Sequence, residues 1–283
     1  MQRDFKKILI QITKEIENSN KTLSVLNKNF KFNFKIQDLK RFKKFKSIIV
    51  IGMGGSILGV EAIYSFLEKK IKKKIYFFND INTKKIFDLK KKKNLNKSLI
   101  FIISKSGNTI ETLSNALTLE VIKKNSKNII IISEKNNFLF ELSKKAGLFH
   151  IEHKKYIGGR YSVLSEVGIV PALLMGLNIK KLRSKSLKYL KGKNKKYLEN
   201  STIIMAYILK AKKMNNLIFL NYFPELEKFL FWCQQLIAES LGKNGKGFLP
   251  IISNVPKDHH SLLQLYLDGP RDKMFYIFSH KEN

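Results

Sequence analysis

SLIFIISKSGNTIET, residues 98–112, decides the fold. Leu99 to Ile103 are apolar without a break, three of them isoleucine. A strand with no polar face is covered on both sides, as in a parallel sheet. A hydroxyl-rich turn follows, then a helix over about 109–124. Working outward, SIIVIG (47–52) repeats the pattern, with a glycine loop and a helix over about 56–69 behind it. IYFFN (75–79), NIIIIS (128–133) and LFHI (148–151) supply further strands. Buried strands alternating with helices predict an α/β fold, a doubly wound parallel sheet with helices on both faces.

Beyond GGRYS (158–162) an apolar helix is expected over about 163–177. The basic stretch KKLRSKSLKYLKGKNKKY (180–197) reads as a solvated helix and linker. A second, weaker α/β pattern has strands at 216–223, 248–253 and 273–279 and helices at 225–240 and 259–268. Three units are therefore expected: a helical lead-in over 1–46, a first doubly wound domain over 47–180, and a linker with a partial second domain over 181–283. A complete second sheet would need more strands than these.

Hydrophobic residues make up 44% of the 283, enough to bury a core. The net charge of +32 raises nucleic-acid or anionic-membrane binding. The basic residues, however, are almost all lysines scattered along the chain, and Asn, Ile and Phe are abundant too. That is the signature of AT-rich codons, so no specific nucleic-acid partner is expected. The positive field still attracts phosphorylated metabolites. The single cysteine, Cys233, excludes an intrachain disulfide, fits a reducing cytoplasm and reads as a small buried hydrophobe. MQRDFKKILIQITKEIEN (1–18) is amphipathic, unlike a signal peptide, and no apolar run reaches the ~18 residues of a membrane span.

Gly52-Met53-Gly54-Gly55-Ser56 follows a strand and opens a helix, which suits an anionic or polar ligand. A dinucleotide fingerprint would need glycine at 57, where Ile57 stands, so NAD with Asp80 as the ribose acid is only an alternative. Ser104, Ser106, Thr109 and Thr112 surround one helix N-terminus, with Lys105 among them. Helix capping accounts for one hydroxyl or two; four and a lysine point to a phosphate cradle. Arg160 stands beside Gly158 and Gly159, where a guanidinium can approach a ligand closely; the alternative is a surface turn. Glu239 ends an apolar helix, as a general base or merely an exposed carboxylate. Asp258-His259-His260 opens another helix, as an acid/base or as a cap with bystanders. His150 and His153 lack further ligands nearby, so no metal is expected.

GMGGS with ILG following, SKSGNTIET, GGRYSVLS, AESLGKNGKG and DHHSLLQLYLDGP, in this order over 52–270, resemble the phosphoglucose isomerase family. The family belongs to the sugar isomerase (SIS) superfamily, and DHHSLLQLYLDGP is most similar to its short prokaryotic branch. The resemblance implies two SIS-type, flavodoxin-like lobes, the second incomplete here. It implies interconversion of glucose 6-phosphate and fructose 6-phosphate in the cytoplasm, without a cofactor. A non-catalytic sugar-phosphate binder, or an enzyme also accepting mannose 6-phosphate, is the alternative. Ser104, Ser106, Thr109 and Thr112 would hold the phosphate with Lys105 alongside. Gly54, Gly55 and Ser56 would line the sugar, Arg160 would stabilise the enediolate, and Glu239 would be the base. His260 would assist ring opening from the partner subunit, which implies a homodimer. Two features depart from the family: His259 stands where glutamine is usual, and the helix carrying a ring-opening lysine has no counterpart. The chain thus reads as C-terminally truncated, and Lys281 takes no role.

Overall fold

A computed structural model describes residues 1–92, 95–211 and 213–280; Lys281 lies outside them. The lead-in holds two helices, α1 (Gln2–Glu17) and the short α2 (Ile36–Leu39), joined by one 3-10 turn and irregular chain. It is less helical than its composition suggests. Phe5, Leu9 and Ile16 form the buried stripe of α1.

Strands β1 (Ser47–Gly52), β2 (Lys74–Phe78), β3 (Ser98–Ile103), β4 (Ile129–Ser133) and β5 (Phe149–Glu152) make one parallel sheet, ordered β2-β1-β3-β4-β5. The expected doubly wound sheet is present. Successive side chains leave a strand on opposite faces, so each isoleucine run feeds two cores. Ile48, Val50, Leu99, Phe101, Ile103, Ile130 and Ile132 enter one core; Ile49, Ile51, Ile100, Ile102, Ile129 and Ile131 enter the other. Helix α3 (Leu58–Leu67) closes the first face; α4 (Thr83–Lys92), α5 (Ile110–Thr118) and α6 (Phe138–Lys145) close the second. Helix α7 (Glu166–Leu174) also covers the first, buried along nearly its whole length. Each fully buried side chain contributes roughly 1.5–3 kcal/mol.

Two ionisable side chains, buried Glu166 and half-buried Arg183, tie the lead-in to this domain. The Glu166 carboxylate accepts the Asn33 backbone N–H at 2.8 Å, and burial raises its pKa. Arg183, in helix α8 (Ile179–Arg183), donates to the carbonyls of Leu164, Val25 and Asn27. The basic stretch is less of a linker than expected. Helix α9 (Lys195–Ala211) begins inside it and runs on through residues given no element from sequence. Its Met205 and Ile208 pack on a third core built from Leu217, Phe219, Leu230 and Phe248.

That core lies under the second sheet: β6 (Asn216–Asn221), β7 (Leu249–Asn254) and β8 (Lys273–Phe278), parallel and ordered β7-β6-β8. Helix α10 (Glu227–Leu241) connects β6 to β7, and α11 (His259–Asp268) connects β7 to β8. Helix α10 also lies along α3 of the first sheet. A residue near its C-terminal end therefore meets the first sheet's loops.

Candidate active site

Gly52, the last residue of β1, pairs with Ile103, the last of β3. The loops leaving these strands emerge side by side at the carboxyl end of the sheet. Winding reverses there, between β1 and β3, and open α/β sheets bind ligands at such a switch point. The glycine loop tightens into a 3-10 turn over Gly54–Ser56. A Cβ on Gly55 would stand 2.2 Å from the Gly159 carbonyl carbon and 2.6 Å from the Arg160 nitrogen. Only glycine lets these backbones meet. The Ser162 hydroxyl donates between the carbonyls of Gly55 (3.1 Å) and Gly159 (2.7 Å). GMGGS and GGRYS, bridged here between residues 107 apart in sequence, thus form one structural piece.

The turn after β3 is braced by its own hydroxyls. Ser104 Oγ accepts the Gly107 N–H at 3.2 Å and shares a 2.8 Å hydrogen bond with Thr109 Oγ1. Ser106 Oγ accepts the Asn108 N–H at 3.3 Å. Gly107 has φ +71°, a left-handed conformation, and the Asn137 side chain fills the place of a Cβ. Thr109 is the N-cap residue of α5, yet its hydroxyl makes no capping bond. Simple capping therefore does not describe it, and the first-turn N–H groups keep their positive end toward the loop. The Lys105 ammonium lies 3.4 Å from Glu134 Oε1 and donates to the Lys155 carbonyl at 2.9 Å. Thr112 is completely buried, its hydroxyl without a partner. The loop surface thus presents Ser106 and the half-buried Thr109, with Ser104 and Thr112 buried behind them.

Arg160 and Glu239 come together. Arg160 Nη1 donates to Glu239 Oε2 at 3.0 Å, and Gln235 Nε2 donates to Oε1 at 2.7 Å. Both carboxylate oxygens are thus oriented from two directions. Gln235 is one helical turn before Glu239 and lies against Gly54. Arg160 Nε donates to Ser240 Oγ at 3.0 Å, and the Trp232 indole N–H donates to the Arg160 carbonyl at 2.9 Å. Sequence reasoning passed over Gln235; its i,i+4 spacing from Glu239 on a helix was the available signal.

Ser56 is half-buried at the end of the glycine turn. His260 is exposed in the first turn of α11 and makes no hydrogen bond with Arg160 or Glu239. His259 packs edge-on against Tyr222, and Asp258 accepts the Asn254 N–H at 2.7 Å instead of capping α11. His150 Nε2 lies 3.0 Å from Ser133 Oγ. His153 is buried, which lowers its pKa to about 4. Burial pushes the Cys233 thiol up to about 12, as a packed thiol requires. Asp80 pairs with Lys85 at 3.8 Å.

A probable glucose-6-phosphate isomerase of Methanococcus maripaludis is 36% identical, over 94% of this chain and 64% of its own. A glucose-6-phosphate isomerase of Methanocaldococcus jannaschii is 35% identical, over 84% of this chain and 62% of its own. The chain therefore spans less than two thirds of the length of these curated relatives. The crystal structure of a hypothetical protein from Thermus thermophilus superposes with a TM-score of 0.78 at 23% identity, covering 98% of this chain and 71% of that one, which shows the shared fold. The phosphoglucose isomerase model matches residues 7–249, taking in both loops, Arg160 and Glu239. On that match and those identities, the chain belongs to the phosphoglucose isomerase family.

Proposed function

We propose that this chain interconverts D-glucose 6-phosphate and D-fructose 6-phosphate, passing a proton between C2 and C1 through a cis-enediolate. The observation that carries this reading is the 3.0 Å contact between Arg160 Nη1 and Glu239 Oε2, joining a base to a fixed cation. A proton α to a carbonyl is weakly acidic, so its removal needs a positioned base, here Glu239. Charge then develops on the substrate oxygen, and the Arg160 guanidinium neutralises it without reorganising. The turn of Ser104, Ser106 and Thr109 takes the phosphate, a remote handle whose binding energy positions the reacting carbons. Thr112 lies buried behind that turn with its hydroxyl unpartnered, and Lys105 is at its flank. Gly54, Gly55 and Ser56 line the sugar, with Gly55 held against Gly159 and Gly54 against Gln235.

In this reading residues 47–180 bind the sugar phosphate and 181–283 bring the base. The chain works as a homodimer in the cytoplasm, each subunit lending His260 to the other for ring opening. The exposure of His260 favours a role across an interface. The single cysteine suits a reducing compartment. Among the described residues, no helix is long and apolar enough to cross a membrane.

A coupled assay for fructose 6-phosphate formation tests the proposal on the purified chain and on Glu239→Gln. The proposal requires turnover in the first, a loss of about 10²–10⁴ in the second, and unchanged phosphate binding in both. Phosphate binding with no turnover in the parent chain would make it a sugar-phosphate binder instead.

A further inference from the structure

Ser240 has been assigned no part in the reaction, although it follows Glu239 and touches Arg160. We propose that its hydroxyl, steadied by Tyr161, is the positioning group that aims the Arg160 guanidinium at the developing oxyanion. The inference rests on the isomerase reading above and deepens it.

Arg160 Nε donates to Ser240 Oγ at 3.0 Å, and Tyr161 OH lies 2.9 Å from that same Oγ. The guanidinium also stacks 4.7 Å from the centre of the Tyr161 ring. One side chain thus fixes the fork's plane, and its hydroxyl fixes the acceptor that sets the fork's rotation. An Nε hydrogen bond restrains the last torsions of arginine while leaving the terminal nitrogens available, one to Glu239 and the other to substrate. Glu239 alone cannot supply this restraint, because its carboxylate must move charge and proton during the reaction. Trp232 and Gly55 hold the Arg160 backbone, but the side chain's direction depends on Ser240. Ser240 is only half-buried, so the contact is not forced by core packing.

The test uses Ser240→Ala, Ser240→Thr and Tyr161→Phe in the full chain. Turnover is measured together with affinity for two ligands. One is a five-carbon aldonate 5-phosphate, whose carboxylate carries charge where the enediolate would. The other is glucitol 6-phosphate, which is uncharged at that end. Ser240→Ala should lower kcat about tenfold with KM changed less than twofold, as for an interaction expressed in the transition state. It should weaken the aldonate about tenfold and leave glucitol 6-phosphate unchanged. Ser240→Thr, which keeps the hydroxyl, should restore most of both losses, and Tyr161→Phe should lose a smaller factor. Equal weakening of both ligands, or an unchanged kcat in Ser240→Ala, would overturn the positioning role while leaving the isomerase reading intact. A parent chain without turnover whose Ser240→Ala variant still loses only the aldonate would overturn the isomerase reading and keep the positioning role.

Discussion

The peptide of Gly159 occupies the space where a side chain on Gly55 would begin: a Cβ there would lie 2.2 Å from the Gly159 carbonyl carbon. The neighbour is backbone, so it cannot rotate away. This contact joins the first loop of the sheet to the segment that carries Arg160, and α10 then brings Glu239 against both.

Gly55→Ala should therefore separate the two segments. The expected cost is about 1–3 kcal/mol of stability, with the proposed isomerase activity falling far more than stability because Arg160 moves with its backbone. Urea melts and initial rates on the same preparation check this. A fully active variant would mean that the close approach does not position Arg160.

Ser106→Ala removes one hydroxyl from the proposed phosphate turn, with its bond to the Asn108 N–H, and leaves the braces between Ser104, Gly107 and Thr109. A hydrogen bond to a charged group contributes about 1.5–3 kcal/mol, so KM should rise roughly tenfold or more with kcat little changed. Inhibition by inorganic phosphate should weaken in parallel. An unchanged inhibition constant would place the phosphate elsewhere.

His153 makes acid stability a readout. Its native pKa of about 4 lies below the ordinary 6.5 because burial disfavours the imidazolium. The stabilisation is present above pH 6.5 and is lost as pH falls from 6.5 towards 4, to a full extent of about 3 kcal/mol. His153→Asn should show a shallower loss of stability across that window. Denaturant midpoints at several pH values check the slope, and equal slopes would refute the assignment.

Glu166 acts in the opposite sense. Burial raises its native pKa above the ordinary 4.5, so stability is fullest below pH 4.5 and declines as pH rises through the native value. Glu166→Gln keeps an acceptor for the Asn33 N–H and should remove that decline. Persistence of the full decline in the variant would show that other groups cause it.

Where the sequence was legible, one physical pattern dominated. Ile49–Ile51, Leu99–Ile103 and Ile129–Ile132 are continuous apolar runs, and such runs leave little alternative to strands buried on both faces. The helix over 195–211 was not legible because lysines dominate its start, while its packing depends on Met205 and Ile208 meeting the second sheet. At the site, residue types pointed to Arg160 and Glu239, but only tertiary structure brings them together. The hydroxyls of 104–112 looked equivalent in sequence, yet Ser104 and Thr112 are buried and Ser106 exposed. Lys105 looked available to an anion, yet it pairs with Glu134 across to the next strand's loop. Those distinctions come from packing, which a motif does not carry.

A crystal structure of the chain with glucitol 6-phosphate tests the central claim most directly. The account predicts the phosphate on the N–H groups and hydroxyls of residues 104–109, with carbons 1 and 2 between Arg160 and Glu239. A ligand whose phosphate lies away from that turn, or whose first two carbons lie beyond reach of Glu239, would contradict it.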